Sequence, residues 1–176
     1  MPATLGNIET LIRENIVQAV RNVFHTMLEN MPPIVELRHE VHDASRVPFH
    51  AAAHGTIHVV GNVGFTGKAN GLVYIHLPLP FAQLCTCTLL GMTAPELDSA
   101  GDEVVNDAVG ELTNMIAGSF KNGFCDVGHP CTLTTPSILR GSDLSVQSVS
   151  SSIRRMHSFE CAGHRIIADI HLKMEE

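Results

Sequence analysis

Aromatic and basic residues are scarce in this sequence. It has no tryptophan and one tyrosine among 176 residues, so aromatic stacking platforms are not expected. Its 11 lysines and arginines stand against 18 acidic residues, which gives a formal net charge of −7. Phosphate backbones and anionic lipids repel such a chain, so neither nucleic acid nor a membrane is expected as a partner.

Long apolar runs are also absent. No run approaches the ~18 residues that a membrane-spanning helix needs, and the first residues lack the basic and apolar regions of a signal peptide. The five cysteines are odd in number, and Cys85 and Cys87 are too close for a scaffold disulfide. Their apolar surroundings favour small buried hydrophobes over a nucleophile. We therefore predict a reduced, cytoplasmic protein.

The common motifs of phosphate, nucleotide and serine-hydrolase chemistry are missing as well. The sequence has no G-x-x-x-x-G-K-[ST], no G-x-S-x-G and no G-x-G-x-x-G that opens a helix. His39 and His42 are three residues apart, and His50, His54 and His58 recur at every fourth residue. The sequence around His58 resembles a strand or turn, which favours incidental histidines over a helical metal site.

The hydrophobic pattern predicts one domain over residues 1–176 with two long helices and a short one. With 44% hydrophobic residues the chain can build one full core. Periodicity predicts long helices over residues 7–28 and 97–121, with Asp98 or Ser99 as N-cap of the second, and a short helix over 80–90. Asp102 and Glu103 are expected in the opening turn of the second long helix.

Strand patterns complete an α+β fold with a largely antiparallel sheet. Residues 71–77 form a clear strand, and residues 54–63 and 144–149 alternate more loosely. A strand over 131–138 should be interrupted at Pro136, and residues 64–71 are rich in turn formers. Ala162-Gly163 predicts a tight hairpin between strands over 153–161 and 164–174.

The second long helix has two distinct faces at about 100° per residue. The polar face contains Glu103, Asp107, Gly110, Glu111, Asn114 and Gly118. The opposite face contains Val105, Ala108, Val109, Leu112, Ile116 and Ser119. A glycine inside a helix costs ~1 kcal/mol relative to alanine, so a merely solvated face would more cheaply carry Glu, Lys, Gln and Ala. The small residues suit close approach by another surface.

Glu111 and Asn114 carry the chemistry of this face. They are one turn apart, about 4.5 Å along the helix axis, and both should point outward. A carboxylate can pair with a partner's cation, and a carboxamide can hold a water molecule because it both donates and accepts. Neither group is a nucleophile, so an active site here would complete one on another protein. The alternative is that Asn114 caps or kinks the helix and Glu111 is merely solvated.

The pattern Asp107-x-x-x-Glu111-x-x-Asn114, followed by Pro136, resembles the signature of the CheC/CheX/FliY chemotaxis phosphatases. The segment DAVGELTNMIAG is most similar to the corresponding segment of CheX. The resemblance covers most of the chain from Gly71 onward. The first helix has no E-x-x-N, because Ile12 follows Glu9 and Val17 follows Glu14. A single active helix is also similar to CheX.

The resemblance implies a CheC-like fold and hydrolysis of the aspartyl phosphate on a CheY-like response regulator. Asn114 would orient the attacking water, and Glu111 would pair with the receiver's lysine. Gly110 and Gly118 would let the receiver approach, and Asp107 would support the same face. This chain would bind no metal or other cofactor, because the receiver domain carries the Mg²⁺. The resemblance also implies a homodimer.

Three other functions remain open at this point. The same helix could dock a receiver without hydrolysis, as a non-catalytic interaction module. A flagellar-switch component related to FliY is less favoured, because no added switch domain follows in this sequence. A metal-dependent hydrolase that uses the histidines is the most distant alternative.

Overall fold

The computed structural model describes residues 5–42, 49–50, 55–142, 144–148 and 152–174. The helices within these residues are α1 (Leu5–Met27), α2 (Leu79–Leu90), α3 (Ala94–Ala100) and α4 (Asp102–Asp126). The strands are β1 (Val35–His42), β2 (Phe49–His50), β3 (His58–Gly67), β4 (Ala69–Pro78), β5 (Cys131–Leu133), β6 (Ser137–Gly141), β7 (Ser145–Val146), β8 (Ile153–Cys161) and β9 (His164–Met174).

Seven of these strands form one sheet in the order β1-β8-β9-β4-β3-β5. β6 also pairs with β3, so β5 and β6 follow one another along the same edge of that strand. Every strand pair is antiparallel, while β2 and β7 form a separate pair. The predicted α+β fold with a largely antiparallel sheet is therefore confirmed.

The main core lies between the sheet and helices α1 and α4. The apolar residues whose period predicts the first helix are buried at Ile12, Ile16, Val20 and Val23, and Met27 of the same stripe is half-buried. Alternate residues of the central strands face these helices, as the two-residue period of a strand requires. Ring contacts extend across the layers, because the centroid of Phe65 on β3 lies 6.0 Å from that of Phe120 on α4.

The segment over residues 64–71, predicted to be rich in turns, contains one tight turn at Lys68, and the prediction is wrong for the rest of it. β3 continues to Gly67 and β4 begins at Ala69, so only Lys68 separates the two strands. Gly64 and Gly71 mark close approach instead of turns. A Cβ atom on Gly64 would lie 3.0 Å from Oγ1 of Thr134, and one on Gly71 would collide with the ring of Phe65.

The second long helix begins and ends five residues later than predicted, at Asp102 and Asp126, and has a separate helix before it. Gly101 divides α3 from α4 with φ +88° and ψ 179°, a backbone conformation that favours glycine. α3 begins at a capping box in which the backbone N–H of Thr93 donates to the Glu96 carboxylate at 2.7 Å. Neither Asp98 nor Ser99 is therefore an N-cap, whereas Asp102 and Glu103 do occupy the first turn of α4.

The predictions of the short helix and of the remaining strands are confirmed in outline. α2 ends at Gly91, whose φ of +64° closes the helix. Pro136 lies in the gap between β5 and β6, and the hairpin of β8 and β9 turns at Ala162-Gly163. The strand predicted over residues 144–149 is reduced to the short β7.

Candidate functional site

Helix α4 has a buried apolar face and an exposed acidic face. Its buried side chains include Val105, Val109, Leu112, Ile116 and Phe120, which pack into the core. Glu103, Asp107 and Glu111 are exposed, one turn apart, and Asn114 is half-buried on the following turn. The amphipathic pattern therefore places three carboxylates and one carboxamide along one line of the surface.

The rotation of α4 about its axis is set by Thr113, which precedes Asn114. The Thr113 side chain is completely buried, and its hydroxyl donates to the Val109 carbonyl oxygen at 2.7 Å. It packs directly against the backbone of Gly61 on β3, where a Cβ atom would collide with it. Because Thr113 faces the sheet, its neighbour Asn114 lies about 100° around the helix axis, at the side of α4.

The side chains of Glu111 and Asn114 are available to a partner. Within the described parts of the chain, no hydrogen bond or ion pair engages either of them. α4 continues beyond Asn114 to Asp126, so Asn114 is not at an end of the helix. The structure therefore gives no support to a capping role for this amide.

Gly110 and Gly118 lie next to β6 and β5, and Gly110 is buried. A Cβ atom on Gly110 would lie 3.8 Å from Cδ1 of Ile138, and one on Gly118 would lie 3.9 Å from Cδ1 of Leu133. Gly110, which the sequence places on the polar face of the helix, is not exposed, because Ile138 of the same chain lies over it. Contact between either glycine and a partner stays a prediction.

An ion pair joins β6 to the start of α4. The guanidinium of Arg140 donates to the Asp102 carboxylate at 2.7 Å and to the Asn106 side-chain oxygen at 3.5 Å. Asp102 is largely exposed, so the pair contributes at most about 1 kcal/mol to stability. Its main effect is to hold β6 beside the acidic face.

The histidines and cysteines of the described residues give no second site. Among the described residues, no group of three or more His, Cys, Asp or Glu side chains could hold a metal ion. His54 lies outside those residues, and nothing is described of the side chains of His39, His42 and His50. Cys85 is fully buried, as predicted, and burial raises the pKa of its thiol, which disfavours the nucleophilic thiolate.

A buried polar cluster on β4, β8 and β9 was not predicted from the sequence. Arg154 donates to both oxygens of Asp169, at 2.9 Å and 2.6 Å. Burial opposes the charge on Asp169, but hydrogen bonds from His171 and Arg154 outweigh it and lower the pKa of this carboxyl. Burial lowers the pKa of the neighbouring His76 to about 4.

The fold is similar to that of CheC-like proteins. A CheC-like superfamily protein from Shewanella sp. PV-4 aligns with a TM-score of 0.75 over 93% of this chain and 97% of its own, at 23% identity. CheX from Desulfovibrio desulfuricans aligns with a TM-score of 0.73 over 92% and 99%, also at 23% identity. Likeness at this level of identity establishes the fold.

The family follows from the sequence match. Residues 59–160, more than half of the chain, match the family described as chemotaxis phosphatase CheX, and the chain belongs to that family. CheX in a CheX–CheY–BeF₃–Mg²⁺ complex from Borrelia burgdorferi aligns with a TM-score of 0.70 over 91% of this chain and 96% of its own, at 21% identity. No curated protein matches the chain. No helix among the described residues is long and apolar enough to cross a membrane.

Proposed function

We propose that this protein hydrolyses the aspartyl phosphate of a CheY-like response regulator by presenting Asn114 to the receiver's active site. Membership of the CheX family supports a chemotaxis phosphatase. The CheX of Borrelia burgdorferi, which has a similar fold, forms a complex with CheY. The observation that carries the residue assignment is the carboxamide of Asn114, which is half-exposed and has no partner among the described residues.

The reaction needs positioning more than new covalent chemistry. Water attacks phosphorus in line, a P–O bond forms, and the bond to the aspartate oxygen breaks to give a carboxylate and inorganic phosphate. The Asn114 carbonyl accepts a hydrogen bond from that water, which directs an oxygen lone pair at phosphorus. The Mg²⁺ and lysine that offset the developing charge belong to the receiver, and this chain supplies no cofactor.

Glu111 serves docking in this proposal. It lies one turn before Asn114 and is exposed, so its carboxylate can reach the ammonium of the receiver's lysine. Asp107 extends the negative line by another turn. Charge complementarity of this kind raises the association rate and fixes the register of docking.

We also propose where the protein acts and in which oligomeric state. The chain acts as a single domain in the cytoplasm, where the phosphorylated receiver is found, and it forms a homodimer. Neither a nucleic acid nor a membrane is a partner.

Replacing Asn114 with alanine tests the catalytic role. Loss of one well-placed polar group typically costs 10²–10³ in rate, about 3–4 kcal/mol, and we expect Asn114→Ala to slow decay of the phosphorylated receiver by that order. Binding should change little, because Glu111 and the helix face remain. Stability should hold, since alanine is the better helix former.

Asn122→Ala is the matched control, because Asn122 is exposed on the same helix but about 12 Å beyond Asn114 along the axis. It should leave the decay rate unchanged. A parental rate in Asn114→Ala would refute the catalytic assignment, and unfolding of that variant would show that the amide is structural. If the parent binds the phosphorylated receiver but does not shorten its half-life, the chain is a non-catalytic interaction module.

A further inference from the structure

The segment from the end of β5 to the first residue of β6, residues 134–137, runs beside α4 at the level of Asn114. We call it the rim. Leu133, just before the rim, faces Gly118, and Ile138, just after it, faces Gly110. Gly110, Asn114 and Gly118 are spaced by four residues, about 6 Å per step along the axis, on one side of the helix. The rim therefore passes Asn114 midway between these two contacts.

Both ends of the rim are fixed to β3. The backbone N–H of Thr134 donates to the Gly64 carbonyl oxygen at 2.8 Å, and the Gly64 N–H donates to the Thr134 hydroxyl at 2.9 Å. At the other end, the Ser137 hydroxyl donates to the Asn62 side-chain oxygen at 2.9 Å, and the Asn62 amide donates to the Ser137 carbonyl at 3.2 Å. Pro136 also restricts the backbone between them. The rim is a fixed ridge that stands beside the helix.

Thr135 is the residue of the rim whose side chain is both exposed and available to a partner. Thr134 and Ser137 are also exposed, whereas Pro136 is half-buried. The hydroxyls of Thr134 and Ser137 are used in the bonds to β3, but the Thr135 hydroxyl contacts no other described group. It can therefore bond to a partner without breaking a bond within the fold.

A specific protein–protein interface is larger than the exposed face of α4, so the contact with a partner must extend beyond this helix. A stable protein–protein contact buries about 800 Å² and 20–30 residues on each partner, which is far more than the acidic line of α4 supplies. Asn114 is only half-exposed, so a folded partner must come close to the helix to reach its amide. Such a partner also meets the rim.

We infer that the rim forms the second part of the receiver-binding surface, and that the phosphorylated receiver lies in the angle between α4 and the rim with Thr135 in contact. This inference rests on the proposed function. The rim would fix the orientation of the receiver, because a receiver that contacts α4 alone could rotate about the Asn114 contact.

The test compares identical substitutions at two exposed threonines. Thr135→Arg and Thr135→Glu both lengthen the side chain, so a steric effect should appear with either charge. Thr132→Arg and Thr132→Glu are the controls, because Thr132 is exposed on β5 but alternates with Leu133 and so points to the other face of the sheet. The measured quantity is the affinity for a CheY-like receiver loaded with beryllofluoride and Mg²⁺, at constant salt.

We expect both Thr135 variants to weaken binding about tenfold or more, and both Thr132 variants to stay within about twofold of the parent. Parental affinity in both Thr135 variants would overturn the inference. That result, with Asn114→Ala still inactive, would leave the proposed function intact, whereas an active Asn114→Ala would remove the proposed function itself.

Hydrogen exchange on the parent protein gives a second measurement that does not depend on how the variants fold. Binding of the loaded receiver should slow amide exchange in residues 134–137 and in the exposed turns of α4. Slowing in α4 alone would also overturn the inference.

Discussion

Asn114 and Glu111 differ in exposure, and this difference fits the roles proposed for them. Asn114 is half-buried beside the fixed rim, so its amide has few orientations to lose when it binds a water molecule. Glu111 is exposed and unpaired among the described residues, so it can meet a cation at longer range. Asn114, which must hold a water molecule in one orientation, is constrained by its surroundings. Glu111, which must attract a cation, is exposed to solvent.

Charge reversal at Glu111 should impair receiver binding more than charge removal. Glu111→Lys sets like charges together at the receiver's lysine, whereas Glu111→Gln only removes an attraction. The difference should shrink as salt rises, because an exposed pair is screened within about 10 Å at 0.1 M ionic strength. Titration of both variants against the loaded receiver at low and high salt measures it.

Asp126→Lys is the control for the change in net charge, because Asp126 is exposed in the last turn of α4, outside the acidic line. Its binding should stay close to the parental value. Equal affinities of Glu111→Lys and Glu111→Gln at low salt would exclude the ion pair.

At the scale of elements, the position of α4 over β3 depends on the contact between Thr113 and Gly61. We expect Gly61→Ala to destabilise the protein by about 1–3 kcal/mol, since overpacking of a tight core has costs in that range. It should also lower phosphatase activity, because α4 must shift away from β3 while the rim stays attached to that strand. Denaturant unfolding and the decay assay measure the two effects.

A double variant separates overpacking from other effects of the alanine. Thr113→Ala removes the hydroxyl and methyl groups that a Cβ atom on Gly61 would meet, so Gly61→Ala should cost less in that background. Gly110→Ala is a further control, because its new methyl group would make only an ordinary contact with Ile138. It should hold or raise stability by up to about 1 kcal/mol, and a similar loss in both glycine variants would contradict the model of a specific contact.

At the scale of the whole molecule, the buried cluster makes stability depend on pH. The pKa of His76 is about 4 in the folded protein against an ordinary 6.5. Between these values the unfolded chain binds more protons, so the stabilising contribution is complete above pH 6.5 and is lost as the pH falls toward 4. The loss between pH 7 and pH 5 should be about 2 kcal/mol, measured by denaturant unfolding at each pH.

His76→Gln should reduce the pH dependence in that window, whatever its effect on stability at pH 7. An unchanged slope in this variant would show that another group is responsible. The lowered pKa of Asp169 acts in a more acidic range, because its stabilising contribution disappears only below the ordinary pKa of a carboxyl group, about 4.

We also predict a homodimer in solution. Light scattering at micromolar concentration should give twice the mass of the 19.0 kDa chain. The sheet supports this prediction, because β1 lies at its end in the described strand order and carries the exposed side chains Val35 and Leu37. A species of monomer mass alone would contradict it.

The sequence by itself determined the fold class and the motif on α4. Hydrophobic periodicity is a local signal, so it placed α1, α2 and the hairpin of β8 and β9 nearly as the structure has them. Asp107, Glu111 and Asn114 are close because a single helix carries them, and helix geometry alone fixes their spacing. No tertiary contact was needed to bring these side chains together.

The tertiary structure decided the features that depend on which elements come close together. Glycines that favour turns in isolation lie within β3 and β4, where Thr113, Thr134 and Phe65 occupy the space of a side chain. Gly110 is covered because Ile138 packs on it, and the rim lies beside Asn114 because β3 pairs with both β5 and β6. Such contacts join residues far apart in the chain, and a local pattern carries no information about distant partners.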